Sequence, residues 1–223
     1  MLKRSTFSGE PPYSPFAGFN GQSYRARVVL DLADRLPFDA FVETGTYHGY
    51  TSAMVTAQTG LPVYSVESRR RYWAVAQRWK LRFPNRLHLK NGDSRAFLTS
   101  STLDGVRFPL IYLDAHWTDD LPLREEIRII GSRFEKAVVL IDDFYVPGDD
   151  GYGFDQYGDA RLDLDLIAEG LPPGARAFFP SVSAEQETGG RRGWPVLAWP
   201  DDVAVVVGTE RWLRPSELSV PGD

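Results

Sequence analysis

Between residues 39 and 144 short apolar runs alternate with amphipathic stretches, and little chain is left to join them. The runs are DAFVETG (39–45), LPVYSVES (61–68), LHLKNGD (87–93), FPLIYLDA (108–115) and KAVVLIDDF (136–144). Between them lie TSAMVTAQTG (51–60), SRRRYWAVAQRWKLRF (68–83), SRAFLTSS (94–101) and LPLREEIRIIGSRF (121–134), which read as helices. Ser68 is placed to cap the second of these, and Pro122 sits in the first turn of the last. Strand–helix alternation with short links specifies an α/β fold: a doubly wound, mostly parallel sheet with helices on both faces. The runs are nearly continuous in apolar residues, as strands covered on both faces must be.

Flanking segments extend this core. SYRARVVLDLADRL (23–36) carries a helical stripe of Val28, Val29, Leu32, Ala33 and Leu36. Ahead of it, residues 1–22 read as an irregular Pro-, Gly- and aromatic-rich arm, so 1–38 is an arm plus helix and 39–223 one α/β domain. After 145 a Gly- and Asp-dense loop, VPGDDGYGFDQYGD, is followed by ARAFFPSV, PVLAW and VAVVVGT, which read as later strands, antiparallel ones among them.

Each core strand ends in acid. The first ends in Glu43, the second in Glu67, the third leads to Asp93, the fourth gives Asp114 with His116, and the fifth gives Asp142 and Asp143. One such acid is readily a helix cap. Five at one sheet edge repel unless cations or hydrogen-bond donors lie between them. In open parallel sheets ligands bind at this edge. The first strand runs into ETGTYHGYT, whose Gly45 and Gly49 have G-x-x-x-G spacing; Tyr47 is too bulky for a pyrophosphate-binding G-x-G-x-x-G turn.

Together these residues resemble the Rossmann-like, class I S-adenosylmethionine-dependent methyltransferases, over roughly residues 39–145. The resemblance implies a seven-stranded sheet with antiparallel C-terminal strands. It implies that Glu43, Gly45, Thr46, Tyr47 and Gly49 hold the methionine end of S-adenosylmethionine, Glu67 the ribose hydroxyls, and Asp93 with Ser94 the adenine. A narrower likeness is to metal-assisted O-methyltransferases of the macrocin (mycinamicin) type. It implies that Asp114, Asp142 and Asp143 hold a divalent metal; the all-oxygen donor set favours magnesium, manganese or calcium over zinc, with Mg the first choice. His116, with an ordinary pKa near neutrality, then reads as general base beside Asp114. The second glycine of the family's first motif is replaced by Tyr47, and no substrate motif carries over.

Blander readings stand beside these. His116 caps a helix or bonds a carbonyl; one of the paired aspartates is structural; Trp117 is packing; His48 is a turn residue or an adenosine neighbour, and His88 is structural. The acidic loop is a lid with Asp149, Asp150 and Asp155 as extra ligands, or is simply solvated. Arg191 and Arg192 grip an anion or form a plain turn. Competing functions on the same fold are an NAD-binding oxidoreductase, a metal-dependent hydrolase and a catalytically silent cofactor-binding protein.

Composition narrows the partners. The 223 residues carry a net charge of −5 with a sequence pI near 5.3, which disfavours nucleic acid. There is no cysteine, so thiolate chemistry is excluded. No run is long enough to span a bilayer and MLKRSTFSGEPPYSPF lacks a signal-peptide core. The expectation is a cytoplasmic enzyme with a small-molecule methyl acceptor and no nucleic-acid or membrane partner, the arm leaving homo-oligomerisation open.

Overall fold

The computed structural model describes residues 18–116 and 121–216. Among these residues ten strands form: β1 (Ala40–Thr44), β2 (Val63–Glu67), β3 (Leu87–Asn91), β4 (Pro109–Leu113), β5 (Ala137–Ile141), β6 (Gln156–Tyr157), β7 (Ala160–Arg161), β8 (Arg176–Pro180), β9 (Val196–Trp199) and β10 (Leu213–Pro215). All but β6 and β7, which pair as a small hairpin, join one eight-stranded sheet in the order β10-β8-β9-β5-β4-β1-β2-β3. β1 to β5 are mutually parallel, and β9 runs antiparallel to β5. The expected seven strands are therefore joined by an eighth, β10, antiparallel to β8 at the edge. The strand order reverses between β1 and β4, which places a cleft over their carboxyl ends.

Helices α1 (Ser23–Arg35), α2 (Tyr50–Thr59), α3 (Arg70–Ala76), α4 (Arg78–Arg82), α5 (Ser94–Leu98), α6 (Leu123–Arg133), α7 (Leu164–Ile167) and α8 (Asp201–Gly208) cover the sheet. Alternation along each strand divides the core in two. Phe41, Leu110, Val138 and Leu140 meet Val28, Leu32 and Val55 on one face. Val42, Ile111, Val139 and Ile141 meet Leu98, Ile127, Ile130 and Ile167 on the other. Every residue of β4 and β5 is buried, so each Leu, Ile or Val there contributes roughly 1.5–3 kcal/mol of transfer free energy.

Two local expectations are corrected. The stretch 68–83 is not one helix capped by Ser68: it starts after Arg69, without a side-chain cap, and is interrupted at Gln77 between α3 and α4. VAVVVGT is not a strand but most of α8. Its β-branched run favours extended chain, yet Val203, Ala204 and Val207 fall at helical spacing and are buried, while Val205 is 53% exposed. Asp201 and Asp202 lie in the first turn, where acids suit the helix dipole. Packing of that stripe on the sheet overrides the propensity.

Replacing exposed Val205 by alanine distinguishes the two conformations. In α8 the change is expected to stabilise the protein by roughly 0.5 kcal/mol in urea unfolding, whereas a strand would lose stability.

Candidate active site

The residue after β5 organises the site. Asp142 is fully buried. Its Oδ1 lies 2.6 Å from the Arg25 guanidinium, and its Oδ2 accepts from the Tyr112 hydroxyl at 2.5 Å and from Asn20 Nδ2 at 2.7 Å. It also accepts the backbone N–H of Asp143 at 2.8 Å. Arg25 is equally buried and donates further to Tyr112, to Gln22 and to the carbonyl of Arg192. Burial alone would lower the Arg25 pKa, but Asp142 and Tyr112 beside it raise it. The Tyr112 pKa is pushed up by burial and by Asp142.

Asp143 turns the other way. Its φ of 54° is a left-handed conformation, uncommon for a residue other than glycine. Its carboxylate is drawn to Arg192 and lies 3.4 Å from His116 Nε2. Burial would raise its pKa, but His116 and Arg192 hold it down to about 2. His116 is 1% exposed and neither ring nitrogen makes a well-formed hydrogen bond among the described residues. Burial lowers its pKa; Asp143 outweighs this and raises it. Asp114 completes the group: one ligand atom each from Asp114, His116 and Asp143 lie within 4.8 Å of one another. The Asp114 pKa is driven well above the carboxylate range by burial and by Asp142 and Asp143.

The structure thus brings Asp114, Asp143 and His116 together and gives Asp142 to Arg25. The four hydrogen-bonding or ionic partners of Asp142 occupy the lone pairs that a ligand would use. The donor set the structure offers a cation has one imidazole and two carboxylates.

The neighbouring strand ends carry the residues assigned to the cofactor. Gly45 has φ 84°, and a Cβ there would lie 1.9 Å from the carbonyl oxygen of Asp114. Only glycine lets the turn after β1 pass so close to the end of β4. Glu43 is buried with Ser52 and Ser65 hydroxyls donating to Oε2, and Thr46 Oγ1 contacts Ser65. Burial lifts the Glu43 pKa to about 7 despite the two hydroxyls. Glu67 at the end of β2 accepts the backbone N–H groups of Tyr47 at 2.7 Å and Arg69 at 2.8 Å. Tyr47 takes φ 47° where the family's glycine would stand, is 47% exposed, and stacks on His48 at 3.9 Å. Gly49 precedes α2 with φ 76°. Asp93 caps α5, accepting from the backbone of Arg95 and Ala96 and pairing with the Arg95 guanidinium at 2.7 Å, which lowers its pKa. Ser94 is buried beside Glu126.

Other candidates fall as follows. His88 stacks on Tyr64 in the β2–β3 pair. Asp149 accepts from Gly151 and Ala184, and Asp155 pairs with Arg192, so neither joins the cluster. Tyr152 in the same loop is buried and donates to Val182. Trp117 lies outside the described residues.

Four participants escape a strand-end reading: Asn20, Arg25, Tyr112 and Glu126. Two had a signal. Arg25 precedes Val28 and Leu32 at helical spacing, and Glu126 precedes Ile127 and Ile130, so each charge falls on an apolar stripe. Glu126 is fully buried beside Ser94, Thr44 and His116, its pKa raised by burial.

No protein-family model matches the chain, and no curated protein matches it. Solved structures do. A candidate caffeoyl-CoA O-methyltransferase from Staphylococcus aureus superposes with a TM-score of 0.56 at 13% identity, over 79% of this chain and 83% of that one. A candidate O-methyltransferase from Klebsiella pneumoniae gives 0.54 at 18%, over 85% and 83%. The O-methyltransferase from Bacillus cereus, solved in complex with SAH, gives 0.53 at 14%, over 86% and 84%. The fold is that of the class I methyltransferases. Three longer matched structures are spanned by this chain over only 46% to 58% of their length. Within the class I methyltransferase fold, Gly45, Glu67 and Asp114 stand at the carboxyl edge where the strand order reverses.

Two stability measurements follow from these charges. Removing Arg25 as Arg25→Met strands Asp142 and is expected to cost about 3–5 kcal/mol in urea unfolding, with Asp142→Asn in the same chain recovering part of it. Glu43 acts through pH. Its folded pKa, about 7, lies above its unfolded value, so the folded state keeps a proton that the unfolded state loses. Stability from this group is therefore full at low pH and falls as pH rises towards 7, by up to about 3 kcal/mol. Asp143 acts oppositely and in a lower window, gaining stability above pH 2. Glu43→Gln should flatten the loss between pH 4.5 and 7 in thermal melts.

Proposed function

We propose that this chain is an S-adenosylmethionine-dependent methyltransferase that acts on a small molecule, at oxygen, beside a divalent cation; Mg, which an all-oxygen set would favour, is the first ion to test, while the imidazole of His116 also admits transition metals. The observation that carries the reading is one juxtaposition. The Gly45 turn and Glu67, suited to an aminoacyl nucleoside, share a sheet edge with the Asp114–His116–Asp143 group. The class I methyltransferase fold supports it, as does the SAH complex of the Bacillus cereus protein.

The residues fit both groups. Each Glu67 oxygen accepts one backbone N–H, which leaves lone pairs for two ribose hydroxyls. Asp114, Asp143 and His116 would hold the cation, His116 contributing a ring nitrogen that lacks a well-formed hydrogen bond among the described residues. When bound, a divalent ion supplies Lewis acidity that lowers the pKa of an acceptor hydroxyl. The chain's own residues do the rest. Gly45 and Glu67 would hold the sulfonium donor, whose methyl group an acceptor oxygen must approach in line for transfer. Asp143, ionised at working pH, attracts positive charge to this corner. His116 can hold the cation only in its neutral form, which the negative charge of Asp143 opposes.

A second reading has its own observation. Arg192 already neutralises Asp143, and Arg25 neutralises Asp142. Methyl transfer with His116 as base and no metal is consistent with that arrangement.

Calorimetric titration of S-adenosylhomocysteine, with magnesium and then with EDTA, tests both. Micromolar binding is expected, weakened about tenfold or more by Glu67→Gln. Separately, titration of magnesium alone should give a binding isotherm that Asp114→Asn abolishes. Cofactor binding without a magnesium isotherm would favour the second reading, and no binding of S-adenosylhomocysteine in either buffer would sink both.

A further inference from the structure

Charge is distributed very unevenly along this acidic chain. From residue 68 to residue 92 there are eight Lys and Arg and no Asp or Glu. These residues form α3, α4 and the edge strand β3. Trp73 and Trp79 turn inward, their indole N–H groups donating to the carbonyls of Leu89 and His48. What remains outward is one face: Arg70, Arg71, Arg78 and Arg82, with Val75 and Leu81 between them, all exposed. Arg71, Val75, Arg78 and Arg82 follow at spacings of four, three and four, which keeps them on one side, because Gln77 between the two helices retains right-handed helical angles.

None of the four arginines forms an ion pair with an acid among the described residues. Arg71 lies over Tyr72 and Arg78 over Tyr50 and Trp79, contacts that position a guanidinium without neutralising it. Leu81 is 89% exposed and Val75 39%. A merely solvated helix face mixes both signs and neutral polar groups. This one pairs cations with protruding aliphatic side chains.

We infer that the outer face of α3 and α4 docks on an anionic phospholipid surface. Charge complementarity supplies the attraction, since basic side chains gather at acidic headgroups. Leu81 and Val75 stand where an interfacial helix inserts its apolar residues. Two features disfavour other partners. A nucleic acid would call for exposed aromatic platforms, and the tryptophans here point into the core. A protein partner would call for a large aromatic or arginine anchor at the centre of the patch, and the apolar residues here are only Val75 and an 89% exposed Leu81. The net charge of −5 disguises this surface because the acids lie elsewhere. It is a peripheral contact: no helix among the described residues is long and apolar enough to cross a membrane. The inference stands independently of the methyltransferase reading.

The test is flotation of the purified full chain with phosphatidylcholine vesicles containing about one-third phosphatidylglycerol, against vesicles of phosphatidylcholine alone. Partition onto the anionic vesicles is expected, and its loss at about 0.5 M salt. Arg78→Glu with Arg82→Glu should reduce partition about tenfold or more, and Leu81→Ser about threefold. Arg128→Glu, on α6, should change nothing, and circular dichroism should show every variant folded. Absence of binding, equal binding to both vesicle types, or binding indifferent to the α4 variants would overturn the proposal. So would a single-stranded RNA homopolymer that bound more tightly than the vesicles through the same arginines, which would reassign the face to nucleic acid.

Discussion

A fully buried ion pair, Arg25 with Asp142, is the constraint around which the site is arranged. Burying both charges is costly unless the remaining donors and lone pairs find partners. Here they draw on five parts of the chain. Asn20 and Gln22 come from the turn before α1, Arg25 from α1, Tyr112 from β4, Asp142 from the end of β5, and the Arg192 carbonyl from the turn before β9. The segment near residue 20 is thereby fixed over the carboxyl edge of the sheet. Phe19 packs edge-on against Tyr112 with ring centres 5.0 Å apart, and a Cβ on Gly189 would lie 2.4 Å from the carbonyl of Asn20.

The same pair explains why two adjacent aspartates behave differently. Asp142 is saturated by hydrogen bonds and its counter-ion. By accepting the N–H of Asp143, it helps hold that residue in a left-handed conformation whose side chain points back to His116 and Arg192. One aspartate is a structural anchor and its neighbour is presented to the cleft. Such strain persists where surrounding structure over-determines it.

Charge at this edge is balanced unevenly. Asp143 is stabilised as an anion, while Asp114 and Glu43 are pushed towards neutrality by burial. Positive charge added at this edge would oppose the upward shift of the Asp114 pKa. The lid-like loop is less free than its glycines suggest. Asp155 is tied to Arg192 and to the backbone of Asp143, and Tyr152 is buried.

The sequence by itself determined the parallel α/β core and the edge on which its acids gather. Period and spacing are local properties: an apolar run such as AVVLI that recurs between amphipathic stretches with short links reads as a strand covered on both faces, and the residue that ends it leaves at the sheet's edge. It also placed Gly45 where a close turn is needed. It misplaced VAVVVGT, because β-branched residues mark a strand only until a sheet face offers their helical stripe a place to pack. It joined α3 to α4, and it named both Asp142 and Asp143 as ligands while allowing that one of them, unspecified, is structural. Only tertiary structure could separate those two, since the deciding partner, Arg25, lies 117 positions away in the chain. The apolar stripe of α1 advertised a buried cation, but nothing local said which carboxylate it would meet. Contacts at that separation depend on how the whole sheet is assembled, and the chemistry of this site follows from them.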